Sequence, residues 1–157
     1  LESVFGKEKD IFFMQEALAQ AKLAYEIDEV PIGAIVVSSE GDIIARAYNS
    51  VERDCTQRSH AESLAIEQAG KSLGDWRLQG CWLYVTLEPC SMCMGLITLS
   101  RLSGVVYGAS SPLFGFSLDN EEDIQLYKKG IISIVERIGD GEAAELLKKF
   151  FHKKRKK

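Results

Sequence analysis

Leu83-Tyr84-Val85-Thr86-Leu87-Glu88-Pro89-Cys90-Ser91-Met92-Cys93-Met94-Gly95 is the stretch on which the fold of this chain turns. Residues 81–87 are a β-rich run, which predicts a strand. Pro89 then stands where the first turn of a helix accepts proline, so a helix is predicted from there to about residue 100. Met94, Leu96, Ile97 and Leu99, with Gly95, make that helix apolar nearly all round. Such a helix is either wholly buried or turns one side to a second subunit.

Working outward toward the N-terminus, Ile11, Met14, Ala17, Leu18, Ala21 and Ala24/Tyr25 recur at steps of three and four. They predict an amphipathic helix over about 10–27 with Asp10 near its start, closed by Pro31. Residues 32–38 and 43–48 flank Ser39-Glu40-Gly41-Asp42 and read as an antiparallel hairpin. Ser59, followed three residues later by Glu62, has the spacing of a capping box that opens a helix through about Gly70.

In the other direction, Val105-Val106-Tyr107 predicts a strand, and residues 110–118 a loop able to act as a lid. A helix over 120–129, a strand over 131–135 and a helix over 142–152, built on Leu146, Leu147, Phe150 and Phe151, complete the chain. That order predicts an α/β fold with helices on both faces of one mixed five-stranded sheet, antiparallel at its opening hairpin and parallel in its later βαβ units. The expected architecture is a three-layer α/β/α sandwich.

The 157 residues, 46% hydrophobic with 3 prolines, suit a single domain over 1–157. Net charge is −4, yet Lys148, Lys149, Lys153, Lys154, Arg155, Lys156 and Lys157 lie within the last ten residues. A basic tail over about 152–157 can hold a polyanion such as RNA, or can be a solvated end. No apolar run of about eighteen residues and no leader-like start is present, so a cytoplasmic protein without membrane association is expected. Four cysteines in such a chain are reduced, metal-bound or catalytic rather than paired.

Two of them have a spacing that carries chemistry. His60-Ala61-Glu62 opens one predicted helix, and Cys90-Ser91-Met92-Cys93 opens the next. Zinc accepts imidazole nitrogen and thiolate sulfur, and a catalytic zinc keeps three protein ligands and one open position. His60, Cys90 and Cys93 supply three. A helix N-terminus lowers thiol pKa, which favours both thiolates. Zinc acidifies its water to a pKa of roughly 7, and Glu62 beside it is the carboxylate to move the proton. Each part alone has another reading: Glu62 as the capping partner of Ser59, and Cys90 with Cys93 as a thioredoxin-like redox pair. A structural zinc would need a fourth ligand, and His152 lies in the basic tail. Cys55 and Cys81 have no metal spacing and are read as core thiols.

His-x-Glu together with Pro-Cys-x-x-Cys is a known signature of zinc nucleobase deaminases. The chain further resembles the bacterial tRNA-specific adenosine deaminases of the cytidine deaminase-like superfamily. The resemblance covers Glu29-Val30-Pro31-Ile32-Gly33-Ala34, Tyr48-Asn49, His60-Ala61-Glu62, the stretch from Leu83 to Gly95, Arg101, Val105-Val106-Tyr107-Gly108-Ala109 and Phe150-Phe151 with its basic tail.

That resemblance implies one zinc per subunit, a homodimer, and conversion of adenosine to inosine at the wobble position of a tRNA anticodon stem-loop. It matches Asn49 to the residue that hydrogen-bonds the flipped base. Ala61 with Glu62 would orient the purine through backbone groups, and Ile32 and Leu87 would wall the pocket. Thr56-Gln57-Arg58-Ser59 departs from the family's Asp-Pro-Thr-Ala, and Ser110-Ser111-Pro112-Leu113-Phe114 from its acidic residue and lysine. The rival functions are deamination of a free base or nucleotide (guanine, cytosine or dCMP) at the same site, binding of zinc or RNA without catalysis, and redox exchange.

Overall fold

The computed structural model describes residues 1–118 and 132–156. β1 (Gly33–Val37) and β2 (Ile43–Tyr48) form the expected antiparallel hairpin. β3 (Trp82–Leu87) pairs antiparallel with the other edge of β1 and parallel with β4 (Gly104–Ala109), which is in turn parallel to β5 (Ser133–Val135). The result is one mixed five-stranded sheet in the order β2-β1-β3-β4-β5. α1 (Lys7–Glu26) packs on β1 and β3, and α5 (Asp140–Arg155) on β4; α3 (Ala61–Leu73) covers β1 and β2 and meets α4 (Ser91–Leu99). A short helix, α2 (Val51–Asp54), follows β2.

Strand alternation divides the core into two apolar layers. Ile35, Val37, Trp82, Tyr84 and Val106 pack with Phe13, Met14 and Ala17 of α1. Val36, Leu83, Val85 and Val105 pack with Ala65, Ala69, Met94 and Ile97 of α3 and α4. The expected three-layer sandwich is therefore the observed one. At Gly33 a Cβ would lie 2.1 Å from the Ala17 carbonyl oxygen, so the close seat of α1 on β1 depends on a residue without a side chain.

Several local expectations are corrected. α1 begins at Lys7, and its buried face runs through Asp10, Phe13, Met14, Ala17, Leu18, Ala21 and Ala24, which leaves Ile11 exposed. Asp10 lies in the first turn of α1, near the start as expected. It is fully buried and accepts hydrogen bonds from the Ser3 amide (2.7 Å), the Ser3 hydroxyl and the Tyr84 hydroxyl (2.5 Å). Ser59 does not cap α3: its hydroxyl donates to Asp54 Oδ2 (2.7 Å), and His60 takes the N-cap position. Pro89 precedes the first turn of α4, whose N-cap is Cys90. Nor is α4 wholly buried, since Met92 and Leu99 are exposed.

The predicted helix over 120–129 lies outside the described residues, as does Ile131 of the predicted last strand. The basic end is helical through Arg155. Lys149 and Lys153 place their ammonium groups 5.4 and 5.5 Å from the centre of the Tyr25 ring, and Lys154 pairs with Asp28, so α5 is tied to the end of α1. Cys81 is the expected core thiol; Cys55, in contrast, is exposed.

The Asp10 network joins the chain start to the central strand, and Tyr84→Phe tests its worth. Losing the hydroxyl should destabilise the fold by about 1–3 kcal/mol, read as a lower urea midpoint with unchanged slope.

Candidate active site

Two helix N-termini create the site. β3 ends at Leu87, and the chain turns through Glu88 and Pro89 into α4, which puts Cys90 at the N-cap and Cys93 one turn on. α3 starts beside it, with His60 at its N-cap and Glu62 in its first turn. Among the described residues, His60, Cys90 and Cys93 form the one group of three His, Cys, Asp or Glu whose donor atoms lie within 4.8 Å of one another. His60 Nδ1 is 3.8 Å from Cys90 Sγ and 3.5 Å from Cys93 Sγ. Zinc bonds of about 2.0–2.1 Å to nitrogen and about 2.3 Å to sulfur, at a tetrahedral angle, require an N···S separation of about 3.6 Å. The donor set fits zinc in both chemistry and spacing.

The protons follow the same geometry. The Cys90 thiol is pulled down to about 4, chiefly because Cys93 donates a hydrogen bond to it, with His60 and the Cys93 amide adding to the effect. Cys93 is pushed up, since it holds the proton shared with Cys90 and is buried beside Glu62. The Cys90 thiolate raises His60. Metal uptake at such a pair displaces the remaining thiol proton.

Three buried carboxylates surround this centre, and two of them are committed to backbone amides. Glu29 accepts from the amides of Glu52 (2.9 Å) and Arg53 (2.8 Å), which fixes α2 and the corner after β2. Glu88 accepts from the amides of Ser111 (3.0 Å) and Ser117 (2.9 Å) and so pins the loop after β4. At Gly115 in that loop a Cβ would fall 2.4 Å from the Glu88 carboxyl, so the wrap closes only around glycine. Glu62 is different. Burial raises its pKa, opposed by its own amide and by His60. With Ser59 turned to Asp54, Glu62 has no capping partnership to serve.

A cavity of about 260 Å³ opens beside the centre, and its lining includes Ile32, Asn49, Ala61, Glu62, His60 and Gln57. The structure therefore brings together all the residues expected at the site except Leu87. Leu87 packs with Leu18, Ala21, Ala109 and Ala143 and is not among the cavity-lining residues. Asn49 is buried, and its amide nitrogen donates to the Val30 carbonyl (3.2 Å), which fixes the plane of the amide. Glu29, Glu88 and Gln57 are additions. The two glutamates reach partners 23 to 29 positions away, which no local pattern reveals. Gln57 stands three residues before His60, and that spacing was a readable signal.

A mixed sheet with His and Cys-x-x-Cys at two adjoining helix N-termini defines the class as the zinc-dependent deaminases of cytidine deaminase-like fold. Residues 7–109 match the family described as the cytidine and deoxycytidylate deaminase zinc-binding region. The chain is 44% identical over 154 residues to the tRNA-specific adenosine deaminase of Bacillus subtilis (strain 168), covering 95% of this chain and 92% of that protein. It is 43% identical over 155 residues to the tRNA-specific adenosine deaminase of Aquifex aeolicus (strain VF5), covering 96% and 97%. A solved structure from work on A-to-I editing by tRNA:A34 deaminases superposes with a TM-score of 0.76 at 36% identity, covering 87% of this chain and 99% of that one. The chain belongs to the tRNA-specific adenosine deaminase family, and zinc is its metal.

The Glu88 wrap is open to test. Glu88→Gln keeps the shape but leaves one of two amides without an acceptor, at a cost of about 1–3 kcal/mol. Faster hydrogen exchange at Ser111 or Ser117, with α3 unchanged, is the expected result.

Proposed function

We propose that this protein converts adenosine to inosine at the wobble position of a tRNA anticodon, with zinc held by His60, Cys90 and Cys93 and the proton carried by Glu62. The observation that carries this reading is Glu62 itself: a buried carboxyl beside the donor triad, with a raised pKa and no loop to hold. A raised pKa suits a carboxyl that must both take and give a proton. The relatives act on tRNA by name, and the match extends over most of the chain.

Zinc, when bound, acidifies a water and so supplies the nucleophile at neutral pH. Glu62 takes one proton from that water and delivers it to N1 of the adenine as the oxygen bonds to C6. Glu62 then moves the second proton from that oxygen to the C6 amino group. The C6–N bond breaks, ammonia leaves, and the C6 carbonyl of inosine remains. Asn49, its amide plane fixed by Val30, orients the base; Ile32 supplies an apolar wall. The backbone of the first turn of α3, around Ala61 and Glu62, lines the same cavity and helps to orient the purine.

The wider assembly belongs to the same reading. Exposed Met92 and Leu99 on α4, beside half-buried Leu96, support a homodimer through that helix. One domain spans the chain, and its place is the cytoplasm, where tRNA and reduced thiols are found together. No described helix is long and apolar enough to cross a membrane. Lys149, His152 and Arg155 line a groove between α1 and α5 that gives the basic end a surface for RNA phosphates.

The decisive experiment offers the zinc-loaded protein an anticodon stem-loop with adenosine at the wobble position and weighs the product. Inosine should form, and Glu62→Gln should retain zinc while kcat falls by about 10²–10⁴. Ammonia released from guanine, cytosine or dCMP, with none from the stem-loop, would move the protein to small substrates. Removing residues 153–157 should weaken stem-loop binding and flatten its dependence on salt.

A further inference from the structure

We propose that Gln57 is a positioning residue for the metal centre: its side-chain oxygen holds the His60 ring in the tautomer and orientation that present Nδ1 to zinc. This rests on zinc occupying the triad. The two nitrogens of His60 face different partners. Nδ1 faces the two sulfurs, and Nε2 lies 2.9 Å from Gln57 Oε1. A ligating nitrogen needs its lone pair, so the proton of the neutral ring resides on Nε2 and needs an acceptor. Gln57 supplies the carbonyl oxygen. Turning the amide over would set an NH₂ group against an N–H, so ring tautomer and amide orientation fix each other.

The backbone that carries Gln57 is itself held. Residues 57–59 form a 3₁₀ turn leading directly into His60, and in such a turn residues three apart eclipse, which sets Gln57 over the imidazole. Thr56 Oγ1 accepts from the Arg58 amide (3.2 Å). Asp54 Oδ2 accepts from the hydroxyls of Ser50 (2.8 Å) and Ser59 (2.7 Å), and the Ser50 amide donates to the Ser59 carbonyl (3.0 Å). Ser59 thus serves the turn that aims Gln57 rather than the helix after it. Gln57 is exposed, so water competes for Nε2–H, and its effect belongs at the lower end of what partners of metal ligands supply.

The test compares zinc affinity, by competition with a chromophoric chelator, for the full-length wild type, Gln57→Leu and Gln57→Glu, with thermal unfolding of the metal-free proteins in parallel. Gln57→Leu should bind zinc about tenfold more weakly, Gln57→Glu should restore or exceed wild-type affinity, and the metal-free melting temperatures should agree. Nitrogen chemical shifts of His60 in the zinc-loaded wild type should report a proton on Nε2. Affinity within twofold of wild type for Gln57→Leu, failure of Gln57→Glu to recover it, or a matching loss of metal-free stability would each overturn the proposal. Because no nucleic acid is present, an unedited stem-loop with zinc affinities as expected would count against the proposed function alone.

Discussion

A ring nitrogen and two sulfurs within 4.8 Å of each other, at the meeting point of two helix N-termini, is the constraint to which the rest of the structure answers. Bringing a thiolate and a second cysteine this close is costly unless positive charge is near. The helix dipoles of α3 and α4 supply part of it, and a bound cation the remainder. The sheet fixes the approach of the two helices. β1 lies between β2 and β3, α3 spans β1 and β2, and α4 leaves the end of β3, so the register of three strands sets the distance from His60 to the cysteines. The glycine contact of β1 with α1 holds the opposite layer close and keeps that register seated.

Around this point the structure divides its buried acids by task. Glu29 and Glu88 each spend both oxygens on two backbone amides, and through them the corner after β2 and the loop after β4 become rigid walls. Glu62 is buried to a similar degree but holds no loop, and burial raises its pKa. One side-chain type therefore serves as a clamp in two places and is left unclamped beside the donor triad in the third, with hydrogen bonding rather than burial making the difference.

Much of this was legible in the sequence, and what was not has identifiable causes. Strands read well because β-branched and aromatic runs need only their own neighbours to be recognised, and His60, Cys90 and Cys93 read well because metal spacing is local. Ser59 misled because two local partnerships compete for its hydroxyl, and Asp54, five positions before it, takes the bond instead of α3. Asp10 does lie near the helix start, but its task as acceptor for Ser3 and for Tyr84, 74 positions away, leaves no local sign. The family resemblance places Leu87 at the pocket, whereas in the structure it packs with residues of α1, β4 and α5. Partners distant in sequence are what a one-dimensional pattern omits.

The size of the cavity bears on how a polymer could use it. About 260 Å³ lies below the ~300–1,000 Å³ typical of drug-sized ligands, so it suits one base and leaves ribose and phosphates outside. A base within a duplex cannot reach such a pocket without leaving its stack, whereas a base in a hairpin loop is already partly unstacked. On the proposed function, selectivity for an anticodon loop then begins with depth: the recess accepts what can be extruded at low cost. The surrounding contacts act next, and they are made by segments that Glu29 and Glu88 have already fixed. A rigid rim orders few groups on binding, so more of the contact energy is left to hold the flipped base against the proton carried by Glu62.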